Sequence, residues 1–322
     1  MQKTKDLGLG VSLIDLFDLG KEKRTGTYVL HEEELTIIET SASPSIPYLL
    51  KGLELLGIDP KDIKNIIVTH IHLDHAGGVG LLLESCPNAH VIVHPRGERH
   101  LADPSRLIQG AKAVYGSQFD VLFDPILPVP EDRLVVKEDG DTLQIGENRT
   151  LTFMDTPGHA KHHFSIHDSF SNGVFTGDTI GVFYPQLLPQ GVELYLPSTS
   201  PNQFDPEAML QSLERIEALK IDRIYFGHYG MSTNPHRVSE QIRFWLPKFM
   251  ATGEKVWLQN LNSTEDEKND ALFQALFEEV SSYLTEKNVS LEQDIYEIIK
   301  LDLTVGSMGV IDYFRRRTRQ VC

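Results

Sequence analysis

An α+β fold is predicted by three observations. Short β-branched runs such as Asn65-Ile-Ile-Val-Thr69 and Ala89-His-Val-Ile-Val93 alternate with segments whose apolar residues recur at helical spacing. Strand signals then resume from residue 133 to about 228, with one helical stretch among them. From Pro235 onward they vanish, and residues 236–262, 265–287 and 291–319 read as helices separated by Asn/Ser-rich breaks. The organisation is thus two layers of strand-then-helix followed by a helical C-terminal extension. Residues 1–235 are expected to form one domain and residues 236–322 a helical extension packed on its core.

Taken in order, Val11-Ser-Leu-Ile-Asp15, Gly26-Thr-Tyr-Val-Leu30 and Leu35-Thr-Ile-Ile-Glu39 predict a meander of strands. Ser43-Pro-Ser45 opens a helix carrying Ile46, Leu49, Leu50, Leu53 and Leu56, with Gly57 as its stop. The Asn65 strand follows, then a helix over Ala76 to Glu84 and the Ala89 strand. Residues 95–131 change character, with helical patches over Arg96 to Leu101 and Pro104 to Tyr115. The proline-bearing Asp124-Pro-Ile-Leu-Pro-Val-Pro130 ends this insertion, a kind of segment that often shapes a binding cleft. Glu138-Asp-Gly-Asp141 and Ser171-Asn-Gly173 are hairpin signals. Asp205 caps a helix with Pro206 at its first position, running to Lys220.

Composition narrows the functions. The chain has 322 residues, 40% of them hydrophobic, and no apolar run long enough to span a bilayer. Met1-Gln-Lys-Thr-Lys-Asp has no apolar segment behind it, so a cytoplasmic location is expected. A net charge of -16 argues against nucleic acid as a partner, because phosphate binding draws on many Lys and Arg. The one basic block, Arg315-Arg-Arg-Thr-Arg319, suits the last turn of a helix. The expected partner is a small-molecule substrate, with no membrane contact, and the helical tail offers a homodimer interface. Only Cys86 and Cys322 are present, read as free thiols, so any metal must be held by imidazole and carboxylate.

The most informative segment is His70-Ile-His72-Leu-Asp74-His75-Ala-Gly-Gly78, placed where the Asn65 strand gives way to a loop. His70 and His72 can point the same way from extended backbone, while Asp74 and His75 on the turn face a second point nearby. Four ligand-type side chains that repel one another when charged need a reason to crowd together, and the cluster suits two metal ions. Further ligand types follow strand-like segments: His159 in Asp155-Thr-Pro-Gly-His159, Asp178 in Val174-Phe-Thr-Gly-Asp178 and His228 in Arg223-Ile-Tyr-Phe-Gly-His228.

These residues, His70-x-His72-x-Asp74-His75, Thr156-Pro-Gly-His159, Gly177-Asp178-Thr179 and Gly227-His228 in that order, resemble the metallo-β-lactamase superfamily, in its broad glyoxalase II and lactonase-like hydrolase branch. The resemblance covers roughly residues 10–230. It implies a four-layer αββα sandwich with the metal site at one edge of two facing sheets. It also implies that His70, His72 and His159 bind one metal, that Asp74, His75 and His228 bind a second, and that Asp178 bridges both. Two divalent ions are implied, zinc first, with iron or manganese as alternatives. Held ~3.5–4 Å apart, such ions share a hydroxide that attacks a carbonyl or phosphoryl centre. The reaction implied is cleavage of an ester, lactone or thioester, with Asp74 orienting the hydroxide proton.

Other candidates are less sharply defined. His163, four residues beyond His159, is read as a substrate or near-site contact or as a strand-end residue, and His162 as structural. Tyr184 and Tyr195 lie in an apolar stretch with no Lys or Arg between Asp178 and Arg215. Each is read as a hydrogen-bond donor to an oxyanion or as a packed aromatic. Arg96, Arg99, Arg106 and Lys112 are read as solvated charges or as contacts to a substrate carboxylate. The resembling lactonases carry a tyrosine three residues after the bridging aspartate, where this chain has Gly181. A mononuclear-iron persulfide dioxygenase and a phosphodiesterase are the alternative activities.

Overall fold

The computed structural model describes residues 3–290 and 293–321. Two compact units emerge, one of Met1–Asp155, His162–Gly177 and Lys220–Pro235, the other of Thr156–Lys161, Asp178–Leu219 and His236–Cys322. The unit that holds the C-terminal helices thus also takes in a long segment from the middle of the chain.

The first unit contains two sheets. One has seven strands in sequence order: β1 (Thr4–Asp6), β2 (Val11–Asp15), β3 (Gly26–Leu30), β4 (Thr36–Ile38), β5 (Asn65–Ile67), β6 (His90–Val93) and β7 (Leu134–Val136). β1 to β4 are antiparallel, whereas β4, β5, β6 and β7 run parallel. Parallel neighbours need a crossover, which in each gap here is helical. α1 (Ile46–Leu55) joins β4 to β5, and α2 (Leu73–Ala76) with α3 (Val79–Leu83) joins β5 to β6. The insertion, α4 (Glu98–Ala102), α5 (Ser105–Tyr115) and α6 (Phe119–Phe123), joins β6 to β7.

The second sheet combines β8 (Thr142–Gly146), β9 (Arg149–Asp155), β10 (Phe164–Asp168), β11 (Gly173–Gly177), β14 (Arg223–Phe226) and β15 (Met231–Ser232) in the order 15-14-11-10-9-8. Ser171-Asn-Gly173 closes the antiparallel β10–β11 hairpin as expected. Glu138-Asp-Gly-Asp141 does not close a hairpin: β7 pairs with β6 in the first sheet and β8 with β9 in the second. The turn instead carries the chain from one sheet to the other. Its residues are those of a tight turn, and composition alone does not say whether the flanking strands pair.

Strand alternation explains why the first sheet is apolar on both faces. Tyr28, Ile38, Ile67 and Ile92 point toward the second sheet and meet Phe153, Phe164, Ile166 and Phe175 in one buried cluster. Their neighbours Val29, Ile37, Ile66, Val91 and Val93 point the other way, against Leu49 and Leu53 of α1 and Val79 and Leu82 of α3. Gly52 lets α1 approach closely, since a Cβ there would collide with Ile14 of β2. The architecture is therefore two facing sheets with flanking helices, of α+β class, and it continues into C-terminal helices as predicted.

The second unit contains the two-stranded β12 (Val182–Phe183) and β13 (Tyr195–Leu196), α7 (Pro206–Ala218), α8 (Pro235–Gln259), α9 (Glu265–Glu286) and α10 (Ile295–Val321). Asp205 caps α7, accepting from the Glu207 and Ala208 amides. Thr264 and Glu267 form a reciprocal capping box at the start of α9. Trp245, Phe249, Leu272, Leu276, Ile299 and Val310 build the core of this unit together with Tyr184, Leu187, Leu194 and Leu196. The apolar character of the stretch after Asp178 therefore reflects burial in a helical core. Arg315 and Arg316 of the basic block pair with Asp312, and Arg315 also with Glu265. Among the described residues no helix is long and apolar enough to cross a membrane. Cys322 and the expected helix start at residue 291 lie outside the described residues.

Arg149 and Asp168, both fully buried, form a bidentate pair, Nε to Oδ1 at 3.0 Å and Nη2 to Oδ2 at 2.6 Å. Nη1 of Arg149 also donates to the Leu9 carbonyl at 3.0 Å. Arg149→Ala leaves a desolvated carboxylate behind, and urea unfolding of the variant is expected to show a loss of about 3–5 kcal/mol. Cys86 is buried, which pushes its thiol up to about 12. In a Cys322→Ser background a disulfide reagent at pH 8 should therefore leave the native protein unlabelled and titrate one thiol only after denaturation.

Candidate metal centre

The parallel strands set the site. β4 and β5 end side by side and β6 ends beside β5, so Glu39, Thr69, His70 and His94 leave the same edge of the first sheet. Parallel strands bring the loops that follow their carboxyl ends to a common edge, so side chains from those loops converge there. After β5 the chain turns through Thr69 to His72 and enters α2, which carries Asp74 and His75 in one helical turn. In the second sheet β11 and β14 are also parallel, and the chain leaves β14 through Gly227 to His228.

The first unit brings together five of the seven predicted ligands. His70 is fully buried, and its Nε2 lies 3.1 Å from Nδ1 of His72. Oδ2 of Asp74 lies 3.8 Å from Nε2 of His75 and 3.7 Å from Nε2 of His228. Asp74, His75 and His228 each present one donor atom within 4.8 Å of the others, a group able to hold a metal ion. The His75 and His228 rings stand nearly perpendicular, 5.1 Å apart. Buried imidazoles with a carboxylate and no thiolate form a donor set suited to a divalent cation. The residues present therefore fit such an ion.

The other two predicted ligands lie in the second unit and near each other. His159 Nε2 is 3.7 Å from Asp178 Oδ2, and both residues are buried. His159 Nδ1 lies 3.0 Å from the Ser198 carbonyl, to which only a protonated nitrogen can donate, leaving Nε2 with its lone pair. Ser198 Oγ donates to Asp178 Oδ2 at 3.0 Å. Asp178 follows directly on Gly177, the last residue of β11, which has φ +47°. A Cβ at Gly177 would collide with Thr69 Oγ1 and His163 Nε2.

His163 lies 5.1 Å ring to ring from His70, and His162 lies 5.2 Å from His72. The pair therefore brackets the His70–His72 side, and His162, read from sequence as structural, stands as close as His163. Tyr184 and Tyr195 are buried in the second unit. The Tyr184 hydroxyl donates to Asp302 at 2.9 Å, and that of Tyr195 lies 3.4 Å from Glu193 Oε2. Tyr184 joins the helical core of that unit, and Tyr195 stacks on Phe183 with centroids 4.9 Å apart. Leu73, between two ligand-type residues, packs with Ala42, Phe119 and Phe123, so the insertion abuts the histidine loop.

Two features had no sequence reading. Glu39 is buried behind His75, its Oε2 3.4 Å from His75 Nδ1, and its signal was an acid ending a strand that is otherwise short of charge. Asp18 is buried with Arg24 at 3.0 Å; burial raises its carboxyl above the ordinary value while Arg24 opposes that rise.

Comparison with known proteins identifies the family. ST1585 of Sulfurisphaera tokodaii, a metallo-beta-lactamase fold-containing protein, is 29% identical over 226 residues, covering 69% of this chain and 78% of its own. Its crystal structure superposes with a TM-score of 0.66 at 22% identity, covering 94% of this chain and 98% of the other. The acyl-coenzyme A thioesterase MBLAC2 of Gallus gallus is 24% identical, over 70% of this chain and 80% of its own. The N-acyl homoserine lactonase AttM of Azorhizobium caulinodans is 32% identical over a shorter stretch, 35% of this chain and 39% of its own. The model of the metallo-beta-lactamase superfamily matches residues 23–228, well over half of the chain, and this protein belongs to that superfamily.

Proposed function

We propose that this chain is a metal-dependent hydrolase that cleaves an ester, lactone or thioester bond of a small molecule. The observation that carries the reading is the convergence of Asp74, His75 and His228 beside His70 and His72. We assign His70, His72 and His159 to one divalent ion, Asp74, His75 and His228 to a second, and Asp178 to both, with zinc as the first choice. Chain continuity supports the assignment: Asp178 follows the Gly177 that packs on Thr69, and His159 precedes by three residues the His162 that flanks His72. Divalent cations held there would polarise a carbonyl and lower the pKa of bound water toward ~7.

The chain's own residues supply the rest. The Asp74 side chain is partly exposed, so the carboxylate oxygen not facing His75 and His228 can take a proton from attacking water. We assign to His163, 5.1 Å ring to ring from His70, a contact to the substrate. The thioesterase and lactonase names among the relatives support an acyl substrate. The net charge of -16 weighs against a polyanionic one.

Chelation is expected to abolish hydrolysis of a panel of acyl thioesters, lactones and aryl esters, and zinc, manganese or iron(II) to restore it. Activity that survives complete metal removal contradicts the proposal. Oxygen uptake with a persulfide, in place of hydrolysis, would move the protein to the dioxygenase class. Asp178→Ala should lower both bound metal and turnover, with turnover falling at least a hundredfold. A variant with full metal content removes Asp178 from the shared position.

A further inference from the structure

Glu39 is a buried carboxylate that faces His75 through one oxygen and reaches His70 through the other by way of the Thr69 hydroxyl. It lies 2% exposed at the end of β4, with φ +70°, a backbone region that a side chain larger than glycine rarely adopts. Its amide donates to the Ile67 carbonyl at 2.9 Å, and its own carbonyl accepts from Thr27 Oγ1 at 2.8 Å, so the unusual conformation is held from both sides. Oε1 accepts from the Thr69 amide at 3.2 Å and from the Thr69 hydroxyl. The same hydroxyl lies 3.0 Å from Nδ1 of His70. Oε2 faces Nδ1 of His75 at 3.4 Å. The next residue, Thr40, clamps His75 through its main chain, its amide and hydroxyl both donating to the His75 carbonyl at 3.0 Å.

Donor counting turns this arrangement into a protonation pattern. A hydroxyl has one proton, and Thr69 gives it to the carboxylate, so toward His70 it offers only a lone pair. Nδ1 of His70 must then carry the ring proton, which leaves Nε2, the atom facing His72, with its lone pair. At His75 the carboxylate attracts the proton to Nδ1, leaving the lone pair on Nε2, the atom that faces Asp74. We infer that Glu39 is a positioning residue that fixes His70, through Thr69, and His75 in the tautomer that presents Nε2 as a metal ligand. This inference rests on the metal-binding reading given above. It explains why a carboxylate is retained, in a strained backbone, at a position from which it cannot itself join the ligand group.

The test measures zinc affinity by chelator competition, alongside melting of the metal-free protein. The variants are Glu39→Gln, Thr69→Val and Thr69→Ser. Glu39→Gln keeps the shape but puts either an amide donor or a neutral oxygen before His75, and Thr69→Val cuts the link to His70. Both are expected to bind zinc about 10–100-fold more weakly, with metal-free melting within a few degrees of wild type. Thr69→Ser, which keeps the hydroxyl, should bind as wild type does. Wild-type affinity in both Glu39→Gln and Thr69→Val overturns the positioning role while leaving metal binding intact. A metal-free melting point that collapses in both variants overturns it too, in favour of a folding role. Wild-type protein that takes up none of zinc, manganese or iron(II) overturns the parent reading along with this one.

Discussion

Parallel pairing of β4 with β5 and of β5 with β6 is the constraint on which the site depends. It brings the carboxyl ends of three strands, far apart in sequence, to one edge of one sheet. Without it Glu39 would not stand behind His75, and the His70–His75 loop would have no fixed wall. The inter-sheet core enforces the register. A slip of one residue would turn Ile38, Ile67 and Ile92 away from Phe153 and Phe164 and send their neighbours into the wrong layer.

The histidine loop shows how polar groups are accommodated at such an edge. His70 and His75 are almost wholly removed from solvent, and a buried imidazole is tolerated when each nitrogen has a defined task. Glu39 and Thr69 occupy the nitrogens on the protein side, and the atoms on the opposite side converge. Gly177 belongs to the same design, because only a residue without a Cβ lets β11 close against Thr69 and His163. The chemistry of the site and the packing of the two sheets are therefore one problem, solved by the same few residues.

Much of this was legible in the sequence. β2 and β3 lie where the alternation placed them, Gly57 ends the α1 segment, and the three C-terminal helices fall within a few residues of their expected limits, outside the undescribed positions. The ligand types announced themselves because crowded imidazoles have no ordinary structural purpose. Glu39 did not, since an acid at the end of a predicted strand carries no mark of what it faces until the neighbour of that strand is known. His162 and His163 both lie before β10, in a loop free of strand alternation, so the sequence alone could not say which of them faces His70 and His72. Glu138-Asp-Gly-Asp141 misled because turn chemistry is local, while membership of a sheet is not. The charge-poor stretch after Asp178 was legible as apolar, but not that its lack of charge reflects burial of residues such as Tyr184 and Leu194 among helices.

Leu73 has a wider consequence. It sits between His72 and Asp74 yet belongs to the apolar patch of Phe119 and Phe123, so the 95–131 segment leans on the histidine loop. A change in the packing of the 95–131 segment is therefore felt at the backbone between His72 and Asp74, and variants made there are best judged by the geometry of that loop as well as by their own stability.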